Sequence, residues 1–323
     1  MLDTDVKTIE SSTFCSPNIH TTHKVPNFLI AGAAKCGTTA LANYLDQHPQ
    51  LFFSPLKEPK FFSSHFLDLP HRGRGDDFIH SFTVCDYEEY LKLFRRARRA
   101  KAIGEASVEN LYYHRDVIPV IKQYLNDPKI IIMLRNPVDR AFSAYKQLLR
   151  DHRETLSFEE GLEQEKMRMT QNYEFLWYYT DVGFYYNQIK SYLKEFSQVK
   201  ILLFDDFKNN PIDTCKDIFS FLGIRNSFRI KLKPKRNASG VPKNGLYRAI
   251  LRATPLKGRI YRWLTAMGIS DSAIQPLMET VRNGALNDFS MSPETRQKLQ
   301  KIYQDDILKV SRLLHRDLSH WLM

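Results

Sequence analysis

The chain is poor in cysteine. Its four, Cys15, Cys36, Cys85 and Cys215, show none of the paired spacing of a zinc site or a redox dithiol, and read as free thiols of a reducing compartment. No apolar run is long enough to span a bilayer. The opening MLDTDVKTIESSTFCSPNIHTTHK is polar and begins with acids, unlike a secretory signal. Those absences point to a cytoplasmic protein without a membrane anchor. Acidic balance is lacking too. With 47 Lys and Arg against 36 Asp and Glu the net charge is +11, which favours an anionic partner: a nucleotide, an acidic substrate, nucleic acid or a membrane surface. Zinc spacing, a helix-turn-helix signal and aromatic RNA motifs are all missing, which weakens the nucleic-acid reading.

What is present is an ordinary globular composition, 43% hydrophobic and 26% charged over 323 residues, enough for a real core. Residues 1–24 have little apolar content and read as a flexible lead-in, leaving 25–323 as a single domain. Short apolar runs then alternate with helical patterns. NFLIAG reads as a buried strand feeding the helix GTTALANYLDQH, and KAIGEAS as a strand before the helix HRDVIPVIKQYL. KIIIMLR is the strongest strand, since β-branched residues dominate it. The helix NPVDRAFSAYKQLLRDH follows, with Asn136 as cap and Pro137 in the first turn. GFYYNQIKSYLKEF, VKILLFDDF and PIDTCKDIFSFLGI continue as helix, strand and helix, and from about 233 the strands stop. The alternation predicts an α/β fold: a central, mostly parallel sheet flanked by helices, with a helical C-terminal part.

One stretch carries a chemical signal. In GAAKCGTTA, residues 32–40, the spacing of Gly32, Gly37, Thr38 and Thr39 is that of an ATP-binding phosphate loop. A glycine-rich turn between strand and helix points backbone N–H groups and the positive helix end at an anion. Yet the lysine that should follow Gly37 is absent, and Lys35 sits inside the loop instead. A kinase or ATPase would also need a carboxylate at a strand end to hold magnesium. The two best strands end in Arg135 and in the pair Asp205 and Asp206, and only that pair could serve a metal. ATP is disfavoured on both counts.

With those residues in view, the sequence resembles the sulfotransferases that use 3′-phosphoadenosine 5′-phosphosulfate (PAPS). KCGTTAL looks like that family's 5′-phosphosulfate loop, so the resemblance assigns Lys35, Cys36, Gly37, Thr38, Thr39 and Ala40 to donor binding. IIIMLRNPVDRAFSAY is similar to its 3′-phosphate segment, which assigns Arg135 and Ser143. HPQLFFSPLKEPKFF resembles the branch that includes heparan-type glycan sulfotransferases and bacterial relatives. There Glu58 stands at the general-base position. GEAS, GFYYNQI and the closing LHRDLSHW match more loosely. Tyr185 is the donor contact this implies, and the basic stretch around Arg236 and Asn237 would close the site.

Sulfuryl transfer is electrostatically close to phosphoryl transfer, so positioning and charge stabilisation dominate. The resemblance implies that Lys35 stabilises the leaving 5′-phosphate of adenosine 3′,5′-bisphosphate (PAP). Arg135, leaving a buried strand at its carboxyl end, can grip a 3′-phosphate with two hydrogen bonds. Arg140 is a rival for part of this role. Glu58 suits a base if its surroundings raise its pKa; His48 and His114 are alternatives. No metal is required. KLFRRARRAK, residues 92–101, reads by its helical spacing as a solvated face over Leu93 and Phe94, and the aromatic run YEFLWYYTDVGFYY mostly as core. The expected reaction is sulfation of a hydroxyl on a small metabolite, such as a secondary-metabolite tailoring step. A saccharide, lipid or amine acceptor stays open. Outside the class stand an ATP–magnesium kinase or nucleotide hydrolase and a basic nucleic-acid-binding or scaffold protein.

Overall fold

The computed structural model describes residues 24–97, 99–232, 241–242, 255–269, 286–287 and 290–323. Five strands form the central sheet: β1 (Phe28–Gly32), β2 (Leu51–Phe53), β3 (Ala102–Glu105), β4 (Lys129–Leu134) and β5 (Val199–Leu203). Their order is β2-β3-β1-β4-β5 and every pairing is parallel. All of β1 is buried, and so is β4 after Lys129, because helices cover both faces. At Gly104 a Cβ would lie 2.4 Å from the Phe28 ring, so only glycine lets β3 approach β1 there.

The helices of this layer are α1 (Thr38–Leu45), α2 (Asp77–His80), α3 (Tyr87–Lys92), α4 (His114–Leu125), α5 (Pro137–Arg150), α6 (Phe158–Glu163), α7 (Glu165–Thr170), α8 (Tyr185–Glu195), α9 (Phe204–Asn209) and α10 (Pro211–Leu222). Asn136 caps α5 by accepting from Val138 N at 3.0 Å, and Pro137 begins the helix. The later chain adds α11 (Pro255–Ala266) and α12 (Pro293–Leu314). Contrary to expectation, strand structure does not end at 233: β6 (Val241–Pro242) pairs antiparallel with β7 (Leu286–Asn287). Two residues each are too short for a periodic signal.

Three local readings differ from expectation. The helix sought over 92–101 ends at Lys92 and gives way to turns, although Phe94 is buried and Leu93 half-buried as its spacing implied. β2 went unread because three residues cannot show alternation. The FDDF segment is not the end of β5 but the first turn of α9.

The end of the chain returns to the sheet. Trp321 is buried and donates its ring N–H to Asp205 at 3.2 Å, and Arg316 pairs with Asp206 at 3.0 Å. Asp306 on α12 accepts from the first N–H groups of α8, Tyr185 N at 2.7 Å and Tyr186 N at 3.2 Å, placing a carboxylate on the positive helix end. The lobe before α8 is held by buried ions. Arg153 contacts Asp76 at 2.5 Å and Glu174 at 3.0 Å, and Asp76 also accepts from the Trp177 ring N–H at 2.8 Å. Arg168 grips Glu154 at 2.8 and 3.2 Å.

Candidate active site

Three parallel strands, β2, β1 and β4, deliver the candidate residues to their carboxyl ends, where α/β sheets gather ligands. The turn after β1 carries Lys35 at φ 67° and Gly37 at φ 88°, both left-handed. Gly37 is the N-cap of α1, and no side chain caps the helix, the arrangement that lets first-turn N–H groups serve an anion. A Cβ on Gly37 would meet the Phe204 ring at 2.8 Å, so φ and space both demand glycine. Thr38 is buried and Thr39 half-buried in the first turn, with Ala40 exposed.

Lys35 Nζ donates to Gln147 Oε1 on α5 at 2.5 Å. Burial, reinforced by Arg150 and then Arg135 against the pull of Asp151 and Glu58, lowers its pKa to about 7. Arg135, at the end of β4, donates to the Lys35 carbonyl at 3.2 Å and stacks on Phe204 at 4.9 Å. That contact ties the two strand ends together and fixes the guanidinium beside the loop. Ser143 lies one turn before Gln147 on α5, so the two share a helix face.

Glu58 follows β2 at φ 60°, with Lys60 at φ 59°. Its side chain keeps 24% exposure and pairs with Lys57. Burial alone would raise the carboxyl pKa, but Lys57, Lys60 and Lys35 outweigh it and hold Glu58 below the usual carboxylate value. The environment is thus the reverse of the one looked for in a base, and Glu58 is ionised at neutral pH. Glu58 and Lys35 also act on each other electrostatically, each favouring the other's charged form. Lys60 is buried against Glu109 at 3.1 Å, which raises its pKa against burial, and its backbone N–H donates to Ser107 Oγ at 3.1 Å. Ser107 in turn donates to Glu105 at 2.8 Å.

Other named residues lie elsewhere. Tyr185 is 1% exposed, beneath the loop, with its hydroxyl 3.8 Å from the Cys36 thiol. Burial pushes that thiol up to about 11, so Cys36 supports the loop as an inert core residue. Arg140 is fully buried and donates to the Tyr179 carbonyl. His48 is bonded to the Arg225 carbonyl at 2.8 Å and His114 to Ser191 at 2.8 Å, and both are buried. Asp205 and Asp206 serve the C-terminal contacts, and no metal-holding cluster occurs among the described residues. Arg236 and Asn237 lie outside the described residues. The aromatic run packs as core through Phe175, Trp177, Tyr178 and Tyr179.

Sequence reading missed Gln147 and Arg150, the groups that most directly condition Lys35. Their signal was available, since residues 143, 147 and 150 fall on one face of α5. It also missed the Glu105–Ser107 support, whose partner Lys60 is 47 residues away from Ser107.

A glycine turn with an uncapped helix behind it and cations at two strand ends defines an α/β protein of the phosphate-loop type. Residues 26–227 match the family described as "Sulfotransferase family", and the chain belongs to that family. A crystal structure of a sulfotransferase from Alicyclobacillus acidocaldarius is 36% identical with a TM-score of 0.72, over 93% of this chain and all of that one. The membrane-associated sulfotransferase kil1 of Dictyostelium discoideum is 30% identical over 38% of this chain and 22% of its own length. The human bifunctional heparan sulfate N-deacetylase/N-sulfotransferase 2 is 26% identical over 63% of this chain and 22% of its own length. The chain therefore spans about a fifth of the length of these two curated relatives. No helix among the described residues is long and apolar enough to cross a membrane.

Proposed function

We propose that the protein transfers the sulfuryl group of PAPS to a hydroxyl of a small acceptor, leaving PAP. The acceptor oxygen attacks sulfur, the bond from sulfur to the 5′-phosphate oxygen breaks, and the acceptor proton passes to the Glu58 carboxylate. Lys35 neutralises charge on the departing 5′-phosphate. The N–H groups at the start of α1 are preorganised donors, each worth about 10²–10³ in rate at comparable sites. Arg135 and Ser143 take the 3′-phosphate.

The observation that carries this reading is the bond from Arg135 to the Lys35 carbonyl. It holds the Arg135 guanidinium against the backbone of the loop that carries Lys35, which supports a reading in which an adenosine with phosphates at both its 3′ and 5′ positions engages both residues. Calorimetry with PAP beside ADP tests it. The expected result is clear preference for PAP, lost in Arg135→Ala; equal affinity for the two nucleotides overturns the reading. Glu58→Gln should retain PAP binding and lose sulfated product, and full turnover in that variant removes Glu58 as base.

A further inference from the structure

Helix α11 has two different faces. Its inner face is pinned to the domain: a Cβ on Gly258 would meet Ser81 Oγ at 1.7 Å and the Phe78 carbonyl at 3.0 Å, and Thr265 is buried. Tyr261 meets the Phe82 ring at 6.0 Å, and Arg262 pairs with Glu89. Its outer face carries Leu256, Ile260, Trp263 and, just past the helix, Met267, spaced four, three and four residues apart. These form one ridge, and it is open: Leu256 is 66% exposed and Trp263 61%. Such a contiguous apolar ridge is not ordinary surface.

Exposed cations flank the ridge, while the carboxylates of Asp77 on α2 and Glu88 and Glu89 on α3 lie on the neighbouring elements. The helix sequence PLKGRIYRWLTA contains no carboxylate, and Arg259 is exposed between Leu256 and Ile260. Arg96 reaches the end of α11, donating to the Met267 carbonyl at 3.3 Å and the Gly268 carbonyl at 3.4 Å. That contact brings the 92–101 run alongside, where Lys92, Arg95 and Arg99 are exposed. The donor cradle does not use these cations.

We propose that the outer face of α11, together with the exposed cations Lys92, Arg95 and Arg99, docks this protein on an anionic lipid surface. An amphipathic helix with Trp, Leu and Ile on one side and cations around them lies in the headgroup plane. Anionic headgroups meet the arginines while the ridge enters the acyl boundary. A second copy of this chain fits less well, since like charges around both ridges would repel.

The test uses the full chain with phosphatidylcholine vesicles, with and without phosphatidylserine. Trp263 is the exposed one of three tryptophans, Trp177 and Trp321 being buried, so emission reports its surroundings directly. The expected result is cosedimentation with phosphatidylserine vesicles and a blue shift of emission. Ile260→Asp and Trp263→Ser should each weaken sedimentation by about tenfold or more. Arg95→Ala with Arg99→Ala should weaken it about thirtyfold. PAP binding should persist in all of these, showing folded protein. Three results overturn the proposal: no sedimentation with phosphatidylserine vesicles, sedimentation undiminished by Ile260→Asp, or a dimer in ultracentrifugation that Ile260→Asp abolishes.

Discussion

Lys35 has Gln147 as its bonded partner and two arginines nearby, and the sum of burial and repulsion leaves its pKa about 7. The free protein is then about half protonated there at neutral pH. A bound phosphate opposes both influences and returns the ammonium to full charge. Binding of PAP must therefore take up protons, and its affinity must fall as pH rises above about 7. Calorimetry at pH 8 in two buffers of different ionisation enthalpy should show uptake approaching one proton per site, absent in Lys35→Met. Equal heats in both buffers would place the titration elsewhere. Stability without ligand runs the other way. The unfolded lysine binds a proton that the folded one has lost between pH 7 and its ordinary value, so stability contributed by this group rises with pH across that window. Glu58 has a lowered folded pKa, so its contribution is present above the ordinary carboxylate value and is lost as pH falls through the folded one.

At the scale of elements, the segment after β2 holds its residues by support from β3. Glu58 and Lys60 both adopt left-handed backbone, which non-glycine residues hold only when their surroundings enforce it. The enforcing contact is Lys60 N to Ser107 Oγ, with Ser107 anchored on buried Glu105. Ser107→Ala should cost about 1–3 kcal/mol by removing the hydroxyl that bridges Lys60 N and Glu105. It should also lower kcat about ten- to a hundredfold through misplacement of Glu58, with PAP affinity unchanged. Steady-state kinetics beside calorimetry separates these effects, and a matching loss of PAP affinity would show general loosening instead. Why this support was illegible while β4 was plain is a matter of range. KIIIML declares itself because a strand buried on both faces needs an unbroken apolar run. Lys35, Gly37 and Arg135 were legible for the same local reason, each fixed by its own strand end. Left-handed φ at Glu58 has no glycine to announce it, and its cause lies in residues around 107. The arginine run at 92–101 does not continue α3, which ends at Lys92, and spacing alone does not mark where a helix stops.

At the scale of the whole molecule, the C-terminal segment packs against the ends of β4 and β5. Asn136 follows Arg135 directly and does two jobs: its Oδ1 caps α5, and its Nδ2 donates to the Trp321 carbonyl at 3.1 Å. Trp321 is itself buried and bonded to Asp205 in the helix that carries Phe204, on which Arg135 stacks. The chain end thus braces Arg135 from both sides, through Asn136 behind it and α9 beneath it. Asp205 and Asp206, which follow β5 where a phosphate-loop enzyme holds magnesium, are engaged by this brace. The sequence showed the pair but not its partners, which come from residues 316–321 across the chain. Trp321→Ala removes the largest piece of the brace and should cost about 3–5 kcal/mol, read as a lower midpoint in denaturant unfolding. Because the lost contacts reach Arg135 through Asn136 and α9, PAP affinity should fall with the midpoint. Asp205→Asn, which keeps shape and most of the hydrogen bonding at a half-exposed site, should cost less than about 1 kcal/mol. If Trp321→Ala leaves PAP affinity intact while lowering the midpoint, the C-terminal segment is a clamp on the fold alone, and Arg135 is positioned by the Lys35 carbonyl and Phe204 without it.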